Sequence, residues 1–312
     1  MPRPRLLALV GPTAAGKTTL AIGLAESIGA EVVSIDSRQV FRGLDVGTAK
    51  PTREERARVP HHLLDVVDPA GLWDAARHAE AAARAIGDVE RRGRVALLCG
   101  GSGLYLRALA DGLCPAPPRD PALRDRLLEE IAEGGADRLR RELEAGDPDA
   151  AGRIAPRDFA RLVRAIEVLR LTGRAISAWQ AEHRAAERPF DVAVFVLSPP
   201  VEELDRRIAC RTAEMFASGL LEETRAALDA GAPADSAALR SIGYREAQLV
   251  LAGTLGLPEA VAAATLATRR YAKRQRTWFR GLPGARWLDP ADAGADLRQS
   301  VEAVLAGGLH AA

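Results

Sequence analysis

The stretch RLLALVGPTAAGKTTLAIGL, residues 5–24, decides the fold. Its middle, GPTAAGKT (11–18), fits G-x-x-x-x-G-K-[ST], the phosphate-binding loop. Gly11 and Gly16 let the backbone turn tightly and aim N–H groups at an anion, and Lys17 adds a positive charge. Thr18 offers a hydroxyl to a magnesium ion, and the helix that follows presents its N-terminus. LLALV before the loop is a short buried strand, and Leu20, Leu24 and Ile28 recur four apart after it, as on one face of a helix. Such context makes Gly11, Pro12, Thr13, Ala14, Ala15, Gly16, Lys17 and Thr18 a phosphate cradle, with the identity of the phosphate still open.

Working outward, EVVSI (31–35) reads as a second strand, 74–92 as a long helix and VALLC (95–99) as a third strand. Alternation of this kind predicts an α/β fold, a P-loop NTPase-like parallel sheet flanked by helices, with ligands at the carboxyl ends of the strands. CPAPPRDP (114–121) breaks the pattern, and the chain then reads as helical to about Glu187. DVAVFVLS (191–198) resumes the sheet, and helices are expected over 201–230 and 258–280. The expected organisation is a first core segment (1–115), an inserted all-helical subdomain (116–189) and a resumed core (190–312).

Composition narrows the function classes. With 47% hydrophobic and 27% charged residues over 312, the chain reads as an ordinary globular protein with ample length for a core. No apolar run is long enough for a membrane span, and MPRPRLLALV leads into the loop as a strand would, unlike a signal peptide. Cys99, Cys114 and Cys210 show neither metal-ligand spacing nor a disulfide framework, which suits the cytoplasm. A net charge of +1 does not announce a nucleic acid, yet only Lys17, Lys50 and Lys273 among 43 basic residues are lysines. That bias raises the question of what a compact ammonium does at Lys50 and Lys273 that a guanidinium could not.

Strand two ends in SIDSRQVF, which sets Asp36 beside the loop as a magnesium ligand, a general base or simply a turn cap. Strand three ends in GGSG (100–103) without the acid that a nucleotide hydrolase uses to hold its metal, which weakens an ATPase reading. PHHLLD (60–65) lies in the link between strands, and its histidines read as structural. Arg211, in the helix after the resumed sheet, would add a second cation near the loop. RRYAKRQRTWFR (269–280) carries six cations and no acid. Arg269, Lys273, Arg276 and Arg280 form one stripe, and Tyr271, Gln275 and Trp278 another. Basic and aromatic stripes on one helix suit RNA, or else aromatics anchored in a core beside solvated arginines. A weaker basic stripe is Arg157, Arg161 and Arg164, opposite Leu162, Ile166 and Leu169.

GPTAAGKT, SIDSRQVF, GLDVGTAKP, PHHLLD, GGSGLYLRAL, RDFARLVRAIEV, RTAEMFASGL, SIGYRE and AKRQRTWFR occur in this order from residue 11 to about 280. Together they resemble the tRNA dimethylallyltransferases (tRNA isopentenyltransferases), bacterial type, since the cysteine/histidine metal motif of eukaryotic members is not seen. The resemblance implies transfer of a dimethylallyl group from dimethylallyl diphosphate to N6 of the adenosine 3′ of the anticodon in tRNA, with Mg2+ as cofactor. Asp36 would accept the N6 proton; Thr13 lies beside the reacting groups; Lys17, Thr18 with magnesium, and Arg211 would steady the leaving pyrophosphate. The anticodon stem-loop would meet Asp36, Ser37, Arg38, Gln39, Ser102, Arg124, Arg161, Leu162, Val163 and Arg164. It would also meet Arg240, Ser241, Ile242, Gly243, Tyr244, Arg245, Lys273, Arg274, Gln275, Arg276 and Arg280. Neither an obligate protein partner nor a membrane is implied, and the expected state is a cytoplasmic monomer. Phe41 and Ser102 depart from the family's usual tyrosine and threonine.

Two other readings stay open on the residues alone. A P-loop kinase for a small metabolite would use Asp36 as base but leave the basic helix idle. A non-catalytic RNA-binding protein would use the helix and leave Asp36 and Arg211 without work.

Overall fold

The computed structural model describes residues 5–185, 189–290, 297–299 and 301–304. In chain order the first elements are β1 (Arg5–Val10), α1 (Lys17–Ile28), β2 (Ala30–Ser34), α2 (Arg53–Arg58), β3 (His61–His62), α3 (Ala75–Arg91), β4 (Val95–Gly100) and α4 (Gly103–Ala110). Then come α5 (Pro121–Ala132), α6 (Ala136–Gly146), α7 (Pro148–Arg153), α8 (Phe159–Thr172) and α9 (Ile176–Ala185). The chain closes with β5 (Asp191–Leu197), α10 (Val201–Ala217), α11 (Leu220–Asp229), α12 (Tyr244–Leu251), α13 (Leu257–Arg280) and β6 (Arg286–Leu288). It forms two compact units, Met1–Ala110 with Pro189–Ala312, and Asp111–Arg188.

The larger unit holds a six-stranded sheet in the order β3-β2-β4-β1-β5-β6, parallel at every pairing. Alternate residues of β1 serve its two faces. Leu7 and Leu9 pack with Ala21, Ile22 and Leu24 of α1, while Leu6, Ala8 and Val10 pack with Ile86 and Val89 of α3 and Leu106 of α4. Burial on both faces explains why the strands read as unbroken apolar runs.

Several sequence expectations needed correction. PHHLLD is not merely a link: His61 and His62 pair with Val32 and Val33 as an edge strand. The sheet also gains RWL (286–288) on its far edge, three residues too short and too polar to stand out. The helix expected over 201–230 breaks at Gly219, whose φ of 104° ends one helix and starts the next. The expected helical end at Glu187 lies outside the described residues.

A third core, built from α10–α13, buries Phe41, Leu44, Phe216, Leu220 and Tyr244. It carries the loop after β2. Phe41 is 1% exposed in that core, so a tyrosine hydroxyl there would need a buried partner. Lys50 ties the loop down. Its Nζ donates to the Phe41 carbonyl at 2.5 Å, to Asp45 at 2.7 Å and to Asp65 at 2.5 Å. Burial alone would push the Asp65 carboxyl up, but Lys50 and Arg56 outweigh it and hold it below its ordinary range. Three diverging acceptors around one buried nitrogen suit an ammonium and exclude a planar guanidinium, which answers the lysine question at this position.

The smaller unit has its own core of Leu127, Leu139, Leu143, Leu162, Val163 and Ile166. Its buried Glu167 accepts from the Asp120 N–H at 2.8 Å and from Arg164 at 2.8 Å.

Lys50→Met should lower the unfolding free energy by about 2–3 kcal/mol, because it leaves the Phe41 carbonyl without its buried donor and Asp65 with Arg56 alone, while Asp45 escapes to solvent. Lys50→Arg should recover little of that loss. Urea denaturation of the three proteins checks both statements; equal midpoints for all three would refute the role assigned to Lys50.

Candidate active site

A cleft of about 470 Å³ opens at the carboxyl ends of the strands. Thr13–Thr19 line one side, with Asp36–Gln39 after β2 and Cys99–Gly101 at the end of β4. Gly47–Ala49, Arg211, Arg240–Gly243, Tyr271, Arg274 and Gln275 line it too.

Sterics fix the phosphate loop at both ends. Gly11 has φ 153°, and a Cβ there would sit 2.2 Å from the Leu197 carbonyl oxygen of β5, so only glycine passes. Gly16, at φ 87°, heads α1 without a side-chain cap, and the first turn of α1 has no acidic residue. Its amide groups therefore remain available to an anion at the positive end of the helix.

Two cations face this end. Lys17 donates to the Pro12 carbonyl at 2.7 Å, and Arg211 donates to the Thr13 hydroxyl. Neither bond is to a carboxylate. Burial pulls the Lys17 ammonium down to about 8, against the raising influence of Asp36, and pulls Arg211 down as well. Asp36 stands between them electrostatically while its Oδ1 accepts the Arg38 N–H at 2.8 Å and the Gln39 N–H at 3.4 Å. These bonds bear out the cap reading of Asp36, and the residue also lines the cleft. Cys99 lines the cleft, but burial pushes its thiol up to about 11, which rules out a thiolate nucleophile at neutral pH.

The opposite wall is held by a residue that the sequence did not reveal. Glu223 of α11 accepts from the N–H groups of Asp45 at 2.6 Å, Val46 at 2.9 Å and Gly47 at 3.1 Å. Tyr244 donates its hydroxyl to the same carboxylate. The loop so fixed presents the Ala49 carbonyl to Gln39 Nε2 at 3.1 Å. Nothing in LLEE (220–223) separates this glutamate from a solvated one; only the stacking of α11 against the loop does.

The structure sorts the remaining expected contacts. Ser37, Arg38, Gln39, Arg240, Ser241, Ile242, Gly243 and Arg274 line the cleft, while Gly11 and Pro12 lie buried beneath it. Tyr244, Leu162 and Val163 are 0% exposed, so their side chains are core and not RNA contacts. Gln275, 7% exposed, is also turned inward, bonded to Thr13 and Gly101. Ser102 lies outside the cleft lining, with its N–H on the Ile35 carbonyl at 3.1 Å. Arg124 and Arg164 turn to buried Glu167, and Arg245 turns to buried Glu246. Lys273 and Arg280 are exposed on α13, Arg276 is half-buried, and Arg161, paired with Asp158, remains 75% exposed. Trp278 packs against Gly103 and Arg107, so the aromatic stripe is in part a core anchor.

A family model described as IPP transferase matches residues 39–282. A tRNA dimethylallyltransferase of Geobacter metallireducens is 50% identical over 288 residues, 92% of this chain and 93% of the relative. One from Anaeromyxobacter sp. (strain Fw109-5) is 50% identical over 298 residues, 96% of this chain and 99% of its own. Among solved structures, the full-length tRNA isopentenylpyrophosphate transferase of Bacillus halodurans superposes with a TM-score of 0.72 at 35% identity, covering 98% of this chain and 97% of that one. A eukaryotic dimethylallyltransferase acting on tRNA gives a TM-score of 0.79 at 26% identity, over 96% of this chain and 78% of that chain. Identity of this extent, added to a phosphate loop that shares its cleft with Asp36 and Arg211, leads to one conclusion: the chain belongs to the tRNA dimethylallyltransferase (IPP transferase) family.

Proposed function

We propose that the cleft transfers a dimethylallyl group from dimethylallyl diphosphate to N6 of the adenosine immediately 3′ of the anticodon in tRNA, releasing pyrophosphate. The observation that carries this reading is that Asp36, Lys17 and Arg211 line one cleft at the uncapped start of α1. The diphosphate lies along Thr13–Thr18, where the α1 amides and the two cations meet charge that grows as the C–O bond breaks. N6 forms the new bond to the allylic carbon, the electron pair of the broken C–O bond leaves with pyrophosphate, and the N6 proton goes to Asp36. A base matters here, because the N6 lone pair is delocalised into the ring.

Magnesium fits the donors available. Thr18 contributes a hard oxygen at the cleft, and no cluster of three or more His, Cys, Asp or Glu stands ready for a metal among the described residues. Such a site suits an ion that keeps most of its ligands as water and diphosphate oxygens. When bound, it would neutralise diphosphate charge, with Thr18 as its protein ligand.

The target base must leave the anticodon-loop stack to reach Asp36. Ser37, Arg38, Gln39 and Arg240–Gly243 surround the space it would enter, and Lys273, Arg274, Arg276 and Arg280 offer phosphate contacts. On the helical unit, Arg161 is 75% exposed and open to RNA. A tRNA substrate implies a cytoplasmic setting, and among the described residues no helix is long and apolar enough to cross a membrane.

Incubation with magnesium, radiolabelled dimethylallyl diphosphate and unmodified tRNA should label the tRNA. Asp36→Ala should cut the rate by about 10²–10⁴ while tRNA binding survives, and Arg211→Gln by about 10²–10³. ATP turnover with no label in tRNA would sink the reading in favour of a kinase. Lys17 sets the pH response. Its ammonium is lost as pH rises through about 8 in the free protein, and a bound anion favours the charged form. Affinity for dimethylallyl diphosphate should therefore fall above that pH, with proton uptake on binding seen by calorimetry in two buffers. An affinity that stays flat across this range, or a Lys17→Met variant with the same fall, would contradict it.

A further inference from the structure

We propose that Gln275 is a positioning residue: its buried carboxamide, on the helix that carries the basic stripe, holds Thr13 of the phosphate loop, the acceptor of Arg211, against the end of β4. The inference deepens the reading above, and only its activity measurement rests on that reading.

Gln275 Oε1 accepts the Thr13 N–H at 2.9 Å, and Nε2 donates to the Gly101 carbonyl at 2.9 Å. These bonds span 262 and 174 residues of sequence, and the side chain is 7% exposed. One amide thus joins α13, the phosphate loop and β4, and a carboxamide so buried is costly unless both its ends are satisfied. Its seat is cut to size. A Cβ on Gly101 would lie 2.4 Å from Nε2, and one on Gly103 would lie 2.2 Å from the Trp278 ring, one turn further along α13. Gly101 and Gly103 therefore serve the docking of α13, at the strand end where a nucleotide hydrolase carries its metal-holding acid.

The consequence for the loop is specific. Thr13 gives its N–H to Gln275, and its hydroxyl receives Arg211. Gln275 orients Thr13, and Thr13 orients the cation. Lys273, Arg274 and Arg276 flank Gln275 on the same helix, so the element that meets RNA also sets the diphosphate loop.

The test is a double-mutant cycle read by binding of inorganic pyrophosphate. Gln275→Met keeps the length and removes both bonds. We expect its pyrophosphate Kd to rise about tenfold and its kcat to fall about tenfold or more, the scale of a lost buried hydrogen bond. The Kd for an anticodon stem-loop RNA should stay within about twofold. In a Thr13→Val background, where Arg211 has lost its acceptor, Gln275→Met should add almost nothing, whereas a merely structural latch would give additive losses. Additivity overturns the proposal. So does loss of RNA affinity with pyrophosphate binding unchanged, which would make Gln275 an RNA contact. If Gln275→Met fails to fold, Gly101→Ala, which displaces the amide without touching a charge, must reproduce the pyrophosphate defect, and failure to do so is equally fatal. A parent protein that binds pyrophosphate and obeys the cycle yet transfers no label to tRNA would overturn the function above and leave this inference standing.

Discussion

Lys17 and Arg211 are held half-buried in one cleft, bonded to a carbonyl and a hydroxyl and not to carboxylates. Burying charge without a carboxylate bonded to it is unfavourable, and both groups register it in a lowered pKa despite the raising influence of Asp36. The fold must bear this cost until an anion arrives. It does so by fixing the backbone around the cations: Gly11 wedged under Leu197, Gly16 heading α1, and Thr13 held by Gln275. A cleft preorganised in this way needs no rearrangement as charge develops on a leaving group, which is the condition for strong electrostatic catalysis.

The far wall follows the same logic with the signs reversed. There a carboxylate, Glu223, gathers three backbone N–H groups, while Lys50 gathers two carboxylates and a carbonyl. Between them the loop 45–50 has few ways to move, and through the Ala49 carbonyl it fixes the Gln39 amide at the mouth of the proposed base pocket. The diphosphate side and the base side are thus shaped by separate networks, with Asp36 where they meet. Lys50 and Glu223 do this without themselves touching the reacting groups.

The fold was legible wherever local physics acts alone. The strand–loop–helix at 5–28, the long capped helix after Asp74 and the helical run after Pro121 each announce themselves by periodicity and turn chemistry. β3 and β6 did not, because strands of two and three residues exist only by pairing with a neighbour already in place. The basic stripe of α13 was legible as a stripe. Its inner face was not, since Gln275 reads like any polar residue in a run of arginines until α13 is laid on Gly101 and Gly103.

The sequence by itself determined that a phosphate loop follows a buried strand, that a carboxylate ends the next strand, and that the chain resembles one family of tRNA-modifying enzymes. Those conclusions rest on residues adjacent in the chain, whose geometry the backbone imposes. Only the tertiary structure decided which polar residues face inward: Tyr244 against Glu223, Gln275 against Thr13, and Arg124 and Arg164 against Glu167. Apart from Arg164, which lies three residues before Glu167, each of these choices turns on satisfying a buried polar group across tens to hundreds of residues of sequence, and such a partner has no local signature.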